Sequence, residues 1–116
     1  MEALEFLLSN GADPNIKNTK DFSLLMYCVK YSDIKLVKTV LYHGARINQK
    51  DLSGFTALDY AIEKNNLEIV KFLVENGAKI YDHSYMLAIE SNFKAIVCYF
   101  DSLDPEMEIF YKESCK

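Results

Sequence analysis

Residues 51–61 read Asp51-Leu52-Ser53-Gly54-Phe55-Thr56-Ala57-Leu58-Asp59-Tyr60-Ala61. After Ile62 to Asn66 the chain continues Leu67-Glu68-Ile69-Val70-Lys71-Phe72-Leu73-Val74-Glu75-Asn76-Gly77-Ala78. Moved back by 33 residues, this stretch meets itself. Gly77-Ala78 falls on Gly44-Ala45 and then on Gly11-Ala12; Val70 falls on Val37 and Leu4; Thr56 falls on Ser23. A period near 33, holding a turn and two short apolar-striped segments, predicts an all-α solenoid of stacked antiparallel helix pairs with short hairpin fingers. Each pair is amphipathic and buries its apolar face only against its neighbours.

Working upstream, Ser23 is placed to cap a helix over 24–30, because its hydroxyl can accept a free backbone N–H. Ser32-Asp33 ends that helix and starts another over 34–42, with Leu36, Val37, Val40 and Leu41 inward. Asp21 stands where the next unit has Gly54, and aspartate tolerates positive φ better than most residues. Residues 1–17 supply half a unit, with Ala3, Leu4, Leu7 and Leu8 at helical spacing. Downstream, Thr56 and Asp59 form a capping-box pattern, and Asn66 is a cap for a helix over 67–75. Ala88-Ile89-Glu90-Ser91-Asn92 then aligns with Ala61-Ile62-Glu63-Lys64-Asn65 at a spacing of 27, so the six finger residues are missing. Ser84 is expected to cap the shortened unit's first helix directly, and Lys94 to Phe100 to form its second. Asp104-Pro105 reads as the start of a capping tail helix. The expected organisation is a repeat domain over 1–103 (half repeat 1–17, full repeats 18–50 and 51–83, shortened repeat 84–103) and a tail over 104–116.

Gly11-Ala12-Asp13-Pro14-Asn15, the recurrent Gly-Ala pairs and the Thr56-Ala57-Leu58-Asp59 helix start resemble the ankyrin repeat family, over roughly residues 1–100. The departures are local. Ser23-Leu24-Leu25-Met26 and Thr56-Ala57-Leu58-Asp59 lack the family's proline and its histidine, which ties neighbouring repeats together. Losing that histidine twice implies weaker coupling and modest stability. Tyr81 replaces the asparagine of Asn15 and Asn48, which points to an altered last finger. The resemblance implies a non-catalytic module that binds a protein partner on its concave side. Carried over by register, the partner-binding residues are Thr19, Lys20, Phe22, Lys30 and Tyr31, then Leu52, Ser53, Phe55, Glu63 and Lys64. Phe22 and Phe55 are register mates expected side by side. With Leu52 they form an aromatic anchor, or else they tuck in and stiffen the finger base. Tyr27 and Tyr60, also register mates, read as packing residues, and Cys28 matches a core alanine.

Composition narrows the function further. The chain has 116 residues, net charge −4 and pI about 5.1, which argues against nucleic acid or an anionic membrane as partner. No apolar run approaches the length of a membrane span, and no leader pattern precedes residue 20. His43 and His83 lack a nucleophile or carboxylate at triad or metal spacing, and there is no glycine-rich phosphate loop. No enzyme activity, cofactor or metal is expected. Asp101, Asp104, Glu106 and Glu108 are acidic but not spaced as a calcium loop. Cys28, Cys98 and Cys115 form no Cys-x-x-Cys pair, so neither a disulfide framework nor a zinc site is expected. The expected compartment is the cytoplasm, the nucleus, or a host's cytosol if the source is a pathogen or virus; frequent Lys, Asn, Ile and Tyr fit such an AT-rich genome. A second role is open beside partner binding: a structural subunit or fragment that stacks or homo-oligomerises through its N-terminal edge.

Overall fold

The computed structural model describes residues 2–103. The expected tail helix over 104–116 lies outside the described residues. Among the described residues seven helices run in order: α1 Glu2–Ser9, α2 Leu24–Lys30, α3 Ile34–Tyr42, α4 Ala57–Glu63, α5 Leu67–Glu75, α6 Asp82–Glu90 and α7 Lys94–Leu103. Among the described residues there is no strand, only an isolated antiparallel bridge between Lys17 and Ser23. The helices pair as α2 with α3, α4 with α5 and α6 with α7. The first helices stack in sequence, α2 on α4 on α6, and α5 packs on α7. This is the all-α solenoid that the period predicts.

Local chemistry sets each helix start. Ser23 Oγ accepts from Met26 N at 3.2 Å, and Asp33 Oδ1 accepts from Lys35 N and Leu36 N. Asn66 Oδ1 accepts from Ile69 N. Thr56 and Asp59 cap each other reciprocally at the head of α4. Ser84 departs from its expected role: α6 begins earlier, with Tyr81 at the cap and no side-chain cap bond. Ser84 instead lies buried within the first turn of α6, where its hydroxyl donates to Asp59 Oδ1 on α4. As the third residue of α6 it lies past the cap position, and its hydroxyl serves the cross-unit bond instead.

The turns repeat with the sequence. Ser32, Asn65 and Asn92 each stand mid-way in the link between paired helices, at φ 56°, 53° and 59°. The step from Asn65 to Asn92 is the clipped spacing of 27, so the finger is shortened while the helical hairpin keeps its geometry. Asp21 occupies the left-handed region at φ 58°, as Gly54 does at 83°. Gly54→Ala is therefore expected to cost about 1–2 kcal/mol and Gly54→Asp less, read as the shift in urea midpoint. Equal losses for both would show that aspartate has no advantage there.

The core runs the length of the stack through Leu25, Met26, Val37, Leu58, Ile62, Ile69, Leu73, Ile96 and Phe100, none more than 2% exposed. Cys28 is buried and free, and desolvation, aided by the nearby Asp33 charge, pushes its thiol up to about 11. A thiol so placed carries almost no thiolate at neutral pH, consistent with an inert core residue. Cys98 on α7 is disulfide-bonded. This corrects the expectation of no disulfide, and cysteine usage no longer argues for a reducing compartment. No helix among the described residues is long and apolar enough to cross a membrane.

Candidate functional site

The two fingers are built alike. Asn18 and Asp51, one repeat apart, each use Oδ1 to accept two backbone N–H groups of their own finger. For Asn18 these come from Lys20 and Phe22, for Asp51 from Ser53 and Phe55, all at 2.9–3.0 Å. The far end of each side chain meets the tyrosine of the following helix: Asn18 Nδ2 donates to the Tyr27 hydroxyl, and the Tyr60 hydroxyl donates to Asp51 Oδ2. Tyr27 and Tyr60 thus brace finger to helix, a polar duty beyond the packing role that the sequence suggested. The fingers are also joined to each other, Leu52 N donating to Lys20 O at 3.0 Å.

Burial, followed by the bond to the Asp51 carboxylate, raises the Tyr60 phenol well above the ordinary tyrosine value. The folded chain therefore holds this proton more tightly than the unfolded chain does. The contribution is complete below the ordinary phenol value and is lost as pH climbs beyond about 10. Tyr60→Phe is expected to lose about 1–2 kcal/mol at pH 7 and to flatten the alkaline decline in urea stability. An unchanged slope between neutral and alkaline pH would overturn this account of Tyr60.

A ladder of rings follows from the shared geometry. Phe22 sits edge-on to Tyr27 at 4.5 Å and to Tyr60 at 5.2 Å; Phe55 lies 5.6 Å from Tyr60 and stacks on His83 at 6.2 Å; His83 stacks on Tyr81 at 5.5 Å. Phe22 and Phe55 are not neighbours as expected, because Tyr60 stands between them. Both are half-buried, with Phe22 packed against the core. Lys30 Nζ lies 5.3 Å over Phe22 and 5.6 Å over Tyr60, and Lys50 Nζ lies 4.4 Å over Tyr81.

Two grooves result. One, of about 560 Å³, gathers Lys20, Phe22, Lys30, Leu52 and Ser53 with Asn18, Tyr27, Asp51 and Tyr60. The other, of about 530 Å³, has Ser53 and Phe55 with Lys50, Gly54, His83, Met86, Leu87 and Glu90. Leu52, 70% exposed, is the prominent apolar group on the fingers. Thr19 is exposed at the first finger tip. Tyr31, Glu63 and Lys64 are exposed at the helix ends and line neither groove. Sequence reading missed His83 and Met86. The signal was the 27-residue step: deleting the third finger brings the head of α6 against Phe55.

Successive units are tied by asparagine. Asn15 Nδ2 donates to Gly44 O and its Oδ1 accepts from Arg46 N at 2.7 Å. Asn48 repeats both bonds with Gly77 O and Lys79 N. Asp59, fully buried, links α4 to α6 through His83 Nε2 at 2.8 Å and Ser84 Oγ.

A model of ankyrin repeats, in three copies, matches residues 1–84. The chain belongs to the ankyrin repeat family. A search of curated proteins returns no match. Ankyrin repeats are generally protein–protein interaction modules and typically non-catalytic. Where ankyrin helix starts carry histidine, this domain has Met26 and Asp59. Met26 Sδ accepts from Ser23 N at 3.4 Å, a weak substitute for a cap, while Asp59 takes over a bond to the next repeat.

Proposed function

We propose that this ankyrin domain is a non-catalytic interaction module that docks a protein partner on its finger side. The observation that carries the reading is the pair of grooves on either side of the second finger, with Leu52 exposed beside a braced aromatic floor. Rigid, preformed apolar surface favours binding, because little ordering entropy is lost on contact. The ten residues named by register belong to this face or its shoulders, with Leu52, Lys20 and Lys30 as the groove contacts. Phe22 and Phe55 act chiefly as floor.

Affinity capture from the source cells tests the reading. Leu52→Glu removes an exposed anchor without touching the core, and is expected to weaken capture by about 2 kcal/mol or more. Tyr42→Ala, on the opposite side and 86% exposed, should leave capture intact. Equal capture by both variants would overturn the finger-side assignment.

A second reading has its own observation. Phe6, Leu7 and Ile16 are 67%, 54% and 57% exposed at the N-terminal end of the stack, an apolar edge suited to pairing with another repeat. Light scattering at high concentration distinguishes it: a dimer that Phe6→Asp dissociates would favour assembly over partner docking.

A further inference from the structure

We propose that the finger side takes an acidic, extended peptide segment bearing two large apolar side chains about three residues apart. This rests on the docking reading above and gives its partner a chemistry. Ser53 forms the ridge shared by the two grooves. One groove offers Phe22, Tyr60 and Leu52, and the other Phe55, Met86 and Leu87. The grooves belong to consecutive units, whose packed helices stand about 8–10 Å apart. A polyproline-like segment rises about 3.1 Å per residue and returns to the same face every third residue. Side chains at positions one and four of such a segment therefore span the ridge.

Charge selects the remainder of the segment. Lys20 and Lys30 line the first groove and Lys50 the second. Among the described residues the ion pairs are Lys17 with Asp21 and His83 with Asp59, so none of these three lysines is in salt-bridge contact with a carboxylate. Ring faces hold both ammonium groups, Lys30 over Phe22 in the first groove and Lys50 over Tyr81 beside the second. The Asp51 carboxylate is occupied by two finger N–H groups and the Tyr60 hydroxyl. Glu90, exposed at the far end of the second groove, is the opposing charge there. The two linings together set three lysines against two carboxylates, a small local positive excess on a chain of net charge −4, which attracts carboxylates locally while the whole chain repels a polyanion at longer range. Nucleic acid fits less well for a second reason. Base stacking needs open ring faces, and Phe22 is flanked edge-on by Tyr27 and Tyr60 and covered by Lys30.

The test is fluorescence anisotropy with labelled peptides of about a dozen residues, long enough to cross both grooves. The lead peptide is Glu/Pro-rich with two phenylalanines three apart. Its comparators replace Glu by Lys, move the phenylalanines next to each other, or replace them by alanine; an oligothymidylate of similar length is run alongside. The lead peptide is expected to bind at least about tenfold more tightly than each comparator and to weaken with salt. The Lys20→Glu/Lys30→Glu double variant should weaken it by at least about tenfold, and Lys38→Glu/Lys71→Glu, on the opposite side, by less than about twofold. Equal affinity for the acidic and lysine peptides, tighter binding of the oligothymidylate, or no peptide binding would overturn the acidic assignment. If phenylalanine peptides of either charge bind and Leu52→Glu abolishes this, finger-side docking stands while the charge preference falls. If binding responds only to the opposite-side variant, both fall.

Discussion

Replacing Asp59 with alanine is expected to destabilise this domain by about 3–5 kcal/mol, the usual loss when one member of a buried, hydrogen-bonded charged group is deleted. Asp59 is fully buried. Its two carboxylate oxygens accept from Thr56 N, Thr56 Oγ1, His83 Nε2 and Ser84 Oγ. Alanine strands the Thr56 N–H and the Ser84 hydroxyl in the core, each a desolvated donor costing about 1–3 kcal/mol. Asparagine is no rescue, because both carboxylate oxygens accept and an amide turns one of them into a donor. His83→Ala should cost far less, since that side chain is 44% exposed and water can replace its bond. Urea unfolding followed by far-UV circular dichroism measures the difference. Native domains have about 5–15 kcal/mol in hand, so Asp59→Ala should leave this one marginal. A loss under about 1 kcal/mol would mean that Asp59 is not the bridge between α4 and α6.

The Asn15→Ala/Asn48→Ala pair should have the next largest effect. Each asparagine makes two bonds to the loop that ends the next unit. These loops are partly wet, so each single change is expected to cost about 1–2 kcal/mol. The sites are a full repeat apart and share no partner, so the losses should add to within about 0.5 kcal/mol. Hydrogen exchange adds a positional check: the Arg46 amide should lose protection in the Asn15 variant and the Lys79 amide in the Asn48 variant. Loss of both amides in either single variant would show that the ties act as one network.

The helices were largely legible because their signals are local. α2, α3 and α5 run over the residues that the caps and apolar stripes mark, and Asp21 could be paired with Gly54 from register alone. What could not be read was anything that depends on two units at once. Asp59 shows only a cap in its own sequence neighbourhood, and its bonds to His83 and Ser84 appear once α6 is laid beside α4. Ser84 was misplaced for the same reason. Phe22 and Phe55 share a register position, and register says nothing about Tyr60 filling the space between them. The lost histidine suggested loose coupling, but the chain bridges those junctions elsewhere, with Asp59 and with the asparagine ties. The finger-side residues follow the same division. Exposure of Leu52 and Lys20 at a finger tip follows from the turn, whereas the second groove exists only because a deletion thirty residues later draws α6 inward.

The asparagine ties carry a consequence for lengthening or shortening the array. Asn15 and Asn48 each reach forward to the loop one unit ahead, and at the next equivalent position a ring, Tyr81, replaces the amide. A duplicated 33-residue cassette spliced in just before Asp51 would give every asparagine a following loop to grip.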